Sequence, residues 1–400
     1  MKTRALLSLV ALSAACGAVG GDDSVDRVEQ GATPIDRMVI GKAASYPADR
    51  SLRGRLDDIN GDEKLRREIA WKTVQKVLAP IPIATKPYAL PRFQTWYTSD
   101  DFLPMFDRLF GALPDAKKRA LAPFSERAIS EVFPWNATRA PTLASFTEER
   151  LETRKQELAA SSGLHSLGKD ARTLMSPAYV GHLFRSYGMI LECDPEAKTT
   201  AFAPCLAGEF PIDAVAAKAR WISGDEPMPV YDSSSLAKDT FDPAGDRKVD
   251  PDDASIYTMQ LSQDTSMRLA ALHVATKELR DWLWITLFWS DTPDPDSPLT
   301  GVWKNYRMCV VTSFDQSGRC SNPYLELGQG NGNTNCIGCH QHGGTQETTE
   351  TVLAKFADPK KKVRTSFPTD YSFTTSAGLD LGAQMRARVD AMTPAPATSN

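Results

Sequence analysis

The sequence predicts an α+β fold with a helical N-terminal half and a β-rich centre. Before about residue 190, apolar residues recur at the three- and four-residue spacing of amphipathic helices. From Ile256 onward they form short, nearly continuous runs that are typical of buried strands. With 400 residues, of which 42% are hydrophobic, the chain can form one large or two modest domains.

Helices are predicted over 62–78, from Ser99 or Asp100, within 115–160, and over 177–189. In the first of these, Asp62 can cap the N-terminus and Pro80 prevents continuation beyond the C-terminus. The preceding sequence DDINGD resembles a calcium-binding loop only faintly, because it lacks the full ligand spacing and the closing glutamate. We therefore interpret it as a capped turn.

Strands are predicted over 212–222, 267–276, 282–290 and 306–313, although the alanines of the first segment also fit a helix. The second and third can pair through the polar sequence KELRD. The third, WLWITLFW, is apolar at both odd and even positions, so we expect both faces of this strand to be buried. Residues 225–254 are rich in Asp, Pro and Ser, which predicts a long surface loop.

The first 15 residues have the organisation of an export signal. Lys2 and Arg4 are followed by a short apolar run and then by small residues up to Cys16. The run is too short to cross a bilayer as a helix. We therefore interpret residues 1–15 as a signal peptide.

The cleavage region also resembles a bacterial lipobox, although Leu12 lies one place earlier than usual. This resemblance implies a lipid on Cys16 and a tether over residues 16–55 that attaches the protein to a membrane. Cleavage after Gly20, giving a secreted protein without lipid, is the alternative. Both interpretations predict an exported bacterial protein that is periplasmic or membrane-anchored.

Export changes how the seven cysteines are interpreted, because thiols that are close in sequence form disulfides in an oxidising compartment. We expect two disulfides, Cys193–Cys205 and Cys309–Cys320. Each would close a short loop and contribute on the order of 3 kcal/mol. Other pairings remain open from the sequence alone.

The two remaining cysteines belong to the sequence CIGCH, formed by Cys336, Cys339 and His340 and their neighbours. On a helical turn, two thiols at this spacing can form thioether bonds with the two vinyl groups of a porphyrin. The histidine can then supply an axial nitrogen to the iron. Gly338 is small enough for the turn to lie close to the macrocycle. We therefore expect one covalent haem c.

Three other interpretations compete for this motif. A zinc site could use both cysteines with His340 and His342, but two histidines this close are poorly spaced for chelation. A thioredoxin-like dithiol would need a strand before the motif, where the chain is instead rich in Gly and Asn. A disulfide between residues three apart would be strained.

The sequence CIGCH and its flanks resemble the haem-attachment site of c-type cytochromes. The preceding run LHVATKELRDWLWITLFW is similar to a group of bacterial cytochrome-c-like proteins with a large region before a single motif. From the helix and strand patterns we expect an α+β domain over 56–325, and the resemblance implies a cytochrome-c-like haem segment over 326–400. The chain departs from the small class I cytochromes, in which the motif opens the domain.

The sixth iron ligand would decide between electron transfer and ligand chemistry. The candidates are His273, Met385 and Met392, or an open site. His273 lies in a mostly apolar strand, where a buried imidazole needs a partner. A structural histidine bonded to backbone is the alternative for this residue.

These observations favour an exported single-haem protein that transfers one electron between other redox proteins. The alternatives are a haem-dependent oxidoreductase or peroxidase with an open distal site, and a non-haem binding protein stapled by zinc or disulfides. The cluster of Trp282, Trp284, Trp289 and Trp303 could relay electrons, but we interpret it as core. A net charge of −4 without a basic cluster argues against a nucleic-acid partner.

Overall fold

The structure is a computed structural model, and it describes residues 43–82, 89–133, 171–193, 205–236, 241–260, 266–314, 316, 320–326, 335–344, 367–372 and 381–394. The predicted signal peptide, Cys16 with its predicted lipid and residues 134–160 of the predicted helical region lie outside these ranges. No helix within them is long and apolar enough to cross a membrane.

The helices within the described ranges are α1 (Leu56–Gly61), α2 (Glu63–Leu78), α3 (Ser99–Gly111), α4 (Asp115–Arg119), α5 (Glu126–Val132), α6 (Pro177–Arg185), α7 (Tyr187–Glu192), α8 (Ser233–Leu236), α9 (Cys336–His340) and α10 (Leu381–Met392). Asp62 caps α2 by accepting a hydrogen bond from the Leu65 amide at 3.0 Å, as predicted. The helix predicted over 177–189 is divided at Ser186 into α6 and α7. The helical N-terminal half is confirmed for the described residues.

The strands are β1 (Pro80–Pro82), β2 (Ala89–Pro91), β3 (Ala171–Met175), β4 (Val215–Ser223), β5 (Met228–Val230), β6 (Arg247–Val249), β7 (Thr258–Gln260), β8 (Ser266–Thr276), β9 (Leu283–Trp289) and β10 (Tyr306–Val311). An antiparallel sheet has the order β10-β9-β8-β4-β3, with β7 also paired to β8. All four predicted strands are present in it. Every residue of β9 is buried, which confirms that both of its faces are covered. The α+β class is confirmed.

The surface loop predicted over 225–254 is wrong for part of its length. β5 and β6 pair there as a two-stranded ribbon, and Met228 and Val230 are buried. Asp246, one of the aspartates that suggested a loop, accepts hydrogen bonds from the Asp232 amide at 2.8 Å and from Ser235 Oγ at 2.5 Å. The aspartates therefore stabilise turns in a folded ribbon.

A single cluster of buried side chains extends across the predicted boundaries at 55/56 and 325/326. Tyr46 and Leu52, from the end of the predicted tether, are buried in it. So are Ile337 of α9 and Met385 of α10. α10 packs against α3 and α7. The described parts of these segments thus share one core.

Glu278, two residues after the end of β8, is fully buried and joins three parts of the chain. Its carboxylate accepts hydrogen bonds from Tyr46 Oη (2.9 Å), the Asp49 amide (2.6 Å), Thr73 Oγ1 (3.3 Å), Lys76 Nζ (3.0 Å) and Thr276 Oγ1 (3.1 Å). A carboxylate with this many donors is compensated for its burial. It fixes the 43–55 segment and α2 to the end of the sheet.

We predict that Glu278→Gln lowers the free energy of unfolding by about 3 kcal/mol, because the amide nitrogen would face donors and Lys76 would lose its partner. Urea denaturation monitored by tryptophan fluorescence measures the change. The exposed Glu226→Gln is the matched control and should stay within about 0.5 kcal/mol of the wild type. Equal stability of the two variants would contradict the role of Glu278.

A second prediction concerns His182 of α6, which is 5% exposed and packs on Phe210 at 4.5 Å between ring centroids. Burial, with Arg185 and Lys277 nearby, lowers its pKa to about 4. A lowered histidine pKa contributes stability that is complete above the unfolded pKa of about 6.5 and is lost as the pH falls towards 4.

We expect the wild type to lose about 3 kcal/mol through this residue between pH 7 and pH 4. His182→Asn, which keeps a side-chain donor but does not titrate, should lose correspondingly less over the same range. Urea unfolding at both pH values gives the comparison. The same pH dependence in both proteins would show that His182 is not responsible.

Candidate functional site

The CIGCH motif forms the short helix α9. Asn335 caps it, with its side-chain oxygen accepting from the Gly338 amide at 2.8 Å. Ile337 and Gly338 are buried, while Cys336, Cys339 and His340 keep part of their surface exposed. The side chains of these three motif residues are therefore partly accessible.

A row of polar residues crosses the sheet beside the motif. The strand register places Thr173, Lys218, His273, Thr286 and Cys309 directly opposite one another on successive strands. Residues paired in this way share one face of a sheet. We call these five residues the polar row. It interrupts a sheet that is otherwise mainly apolar.

Glu326 joins the polar row to the motif. Its Oε1 lies 3.9 Å from His273 Nε2, and its Oε2 accepts a hydrogen bond from the Asn322 amide at 2.6 Å. Burial raises the pKa of Glu326 to about 7 and lowers that of Lys218 to about 8. Lys218 interacts electrostatically with both Glu326 and Cys339, so these side chains occupy one site.

His340 is oriented by the backbone of a distant segment. Its Nδ1 lies 2.9 Å from the carbonyl oxygen of Tyr371. Because a carbonyl can only accept, Nδ1 carries the proton and Nε2 has the lone pair. The Trp284 ring packs on the imidazole at 4.3 Å between centroids. A histidine held through Nδ1 by a carbonyl is the usual arrangement of a metal-ligating imidazole.

The turn that contains the Tyr371 carbonyl is held in place by a buried ion pair at the preceding residue. Lys277 Nζ, fully buried, lies 2.8 Å from Asp370 Oδ1. Asp370 Oδ2 accepts from the Phe210 amide at 2.9 Å, and the Asp370 carbonyl accepts from Trp282 Nε1 at 3.0 Å. These contacts fix the turn that contains Tyr371.

Two glycines after the motif allow the same turn to approach α9. A Cβ at Gly343 would lie 2.6 Å from the Ser372 carbonyl oxygen, and one at Gly344 would lie 2.5 Å from Thr369 Cγ2. Gly344 also has a φ of +80°, which favours glycine. This packing could not be predicted from the sequence. The close approach of the turn explains why no side chain fits at either position.

The cysteines fall into two groups. Cys193–Cys205 and Cys309–Cys320 are disulfides, as predicted, whereas Cys336 and Cys339 are free thiols. Burial raises the pKa of Cys339 to about 12 and that of Cys336 higher still. Both thiols are thus protonated at neutral pH, unlike the reactive cysteine of a redox dithiol.

Within the described ranges, the structure does not assemble a set of zinc ligands. No group of three or more His, Cys, Asp or Glu side chains there is arranged to hold a metal ion. His342, proposed for such a site, is 1% exposed in the turn after α9.

The three candidates for a sixth ligand lie in different places. His273 is in the polar row, and burial, with Lys218 and His340 nearby, lowers its pKa to about 3, so its ring is neutral. Its Nε2 is buried without a hydrogen-bond partner in the described structure. Met385 and Met392 lie on α10, with Met385 in the core and Met392 near Gly111 of α3. The structure therefore brings His273 beside the motif.

Sequence reasoning missed several residues of this site: Lys218, Glu326, Lys277, Asp370 and Tyr371. Lys218 carried a usable signal, because it is a lysine in the middle of a predicted strand. Trp284, interpreted as core, is 5% exposed and contacts His340 as well.

We predict that Lys277→Met and Asp370→Asn each lower the free energy of unfolding by about 3 kcal/mol, because each leaves a buried group without its partner. The double variant should cost clearly less than the sum of the two, since it removes both members of the pair. Urea denaturation of the four proteins completes the cycle. Additive losses would show that the two side chains do not stabilise each other.

No family model, curated protein or solved structure matches the chain in the three comparisons made.

Proposed function

We propose that this protein is an exported c-type cytochrome that carries one covalent haem c and transfers single electrons between redox partners. The observation that carries the proposal is the arrangement of α9. It combines two free thiols at the Cys-x-x-Cys spacing with a histidine whose Nδ1 proton is donated to the Tyr371 carbonyl. The residues present fit the group.

Each residue of the site then has a defined task. Cys336 and Cys339 would form the thioether bonds, and His340 would bind the iron through Nε2. His273, with its neutral ring and unpartnered Nε2, would supply the second axial nitrogen. The haem iron contributes a one-electron couple, and two axial histidines favour electron transfer over ligand binding.

Export and membrane attachment belong to the same proposal. The two disulfides support an oxidising compartment, because such bonds are rare in the reducing cytosol. A lipid on Cys16 would hold the protein near membrane-bound redox proteins. Partners are expected to be other electron carriers, since one haem passes one electron at a time.

A haem-dependent oxidoreductase or peroxidase with an open distal site is the second candidate. One observation favours it: Lys218 and Glu326 place ionisable side chains beside His273. Such groups are what proton transfer to a bound substrate requires.

The test is to produce the full chain in a periplasm that matures c-type cytochromes and to record spectra of the oxidised, reduced and carbon monoxide-treated reduced protein. We expect a covalent haem that is retained after denaturation, with one haem per chain. Cys336→Ala/Cys339→Ala should lose the covalent haem. The control Cys309→Ala/Cys320→Ala should keep it while losing about 3 kcal/mol of stability.

Carbon monoxide separates the two candidates. A reduced spectrum that carbon monoxide leaves unchanged supports electron transfer, and His273→Ala should then make the same protein respond. A wild type that binds carbon monoxide readily supports the oxidoreductase. Absence of haem from the correctly exported wild type would contradict both.

A further inference from the structure

Lys218 differs from two other lysines whose ammonium groups are paired in the structure. Lys277 Nζ lies 2.8 Å from Asp370, and Lys76 Nζ lies 3.0 Å from Glu278. Lys218 is partly buried on β4, an interior strand, between Thr173 and His273 of the polar row. Within the described ranges, no carboxylate oxygen lies within 4.0 Å of its Nζ.

Glu326, the carboxylate with which Lys218 interacts electrostatically, has its oxygens close to other groups. One of its oxygens accepts from the Asn322 amide at 2.6 Å, and the other lies 3.9 Å from His273 Nε2. Lys218 interacts electrostatically with Glu326 and with Cys339 without forming an ion pair with either. The ammonium group therefore lies beside the motif with its charge uncompensated by a close contact.

Lys218 is partly buried, and placing an ammonium group there without a close partner removes part of its hydration, which is unfavourable. Methionine or leucine would fill the same position on the sheet without that cost. A lysine in a ligand site is a compact positive charge suited to a single anionic oxygen group. The arrangement thus matches a ligand that brings its own carboxylate.

We propose that Lys218 binds a carboxylate of the molecule that occupies this site. The inference rests on the proposed function, in which that carboxylate is a propionate of the haem. A free small carboxylate that enters beside the haem is the other source of the same chemistry. Lys218 is a binding residue in either case, and it is separate from the axial ligands.

The test compares haem with its dimethyl ester, which lacks the carboxylates. Both are titrated into the full-length Cys336→Ala/Cys339→Ala protein, which can bind either molecule only non-covalently, and the dissociation constants are measured by absorption. With Lys218 present, haem should bind at least about tenfold more tightly than the ester, as a charge-assisted hydrogen bond implies. In Lys218→Met the ratio of the dissociation constant of the ester to that of haem should fall towards one.

Two further variants separate the charge from general damage. Lys218→Arg should keep the preference, because it keeps the positive charge. Lys248→Met, the same substitution in the ribbon strand β6, should also keep it. In the covalently loaded protein, Lys218→Met should lower the reduction potential, because removing a nearby positive charge favours the oxidised iron.

Sodium acetate, titrated into the loaded wild type and Lys218→Met by calorimetry, distinguishes the two sources. Acetate binding that requires Lys218, with an unchanged ester preference, would assign the site to a free carboxylate and overturn the propionate version. An unchanged preference without acetate binding would overturn the inference and leave the cytochrome proposal standing. A chain that never acquires haem would overturn the cytochrome proposal and the propionate assignment together.

Discussion

The structure depends on two adjacent charged residues that follow β8, Lys277 and Glu278, both with 0% exposure. Their side chains hold different parts of the protein. Glu278 accepts hydrogen bonds from the N-terminal segment and from α2. Lys277 forms an ion pair with Asp370 in the C-terminal half. Burying two charges is costly unless each is paired and hydrogen-bonded. Both conditions are met, so one turn of the sheet fixes segments from both ends of the described chain.

The motif is connected to this turn through a short series of contacts. Lys277 holds Asp370, the next residue is Tyr371, and the Tyr371 carbonyl accepts the Nδ1 proton of His340. Asp370 and Tyr371 have φ values of 47° and 67°, which non-glycine residues adopt at a cost. The ion pair and the Trp282 hydrogen bond compensate for that cost. The orientation of the His340 ring is therefore set by tertiary contacts, because α9 itself is only five residues long.

The parts of the fold that could be predicted from the sequence depend on local signals. Asp62 and Pro80 delimit α2, and the continuous apolar run of β9 predicts a strand covered on both faces. The two disulfides could be predicted because the paired cysteines are close together in the sequence. The polar row could not be predicted, because it arises from the register between strands whose residues lie far apart in the chain. From the sequence alone, KELRD is interpreted as a polar connection between two strands. Two of its charges are buried instead, since their partners come from Tyr46, Lys76 and Asp370.

These contacts link the motif to the large region that precedes it. Residues 335–344 supply two thiols and His340, but the groups that face them come from the sheet: Lys218 from β4, His273 from β8 and Trp284 from β9. A small cytochrome domain builds both sides of its haem site within a short chain after the motif. Here the second side already exists as one face of an antiparallel sheet. Under the proposed function, the α+β region would form half of the haem site in addition to its role as a scaffold, and a sixth ligand at His273 would come from the sheet.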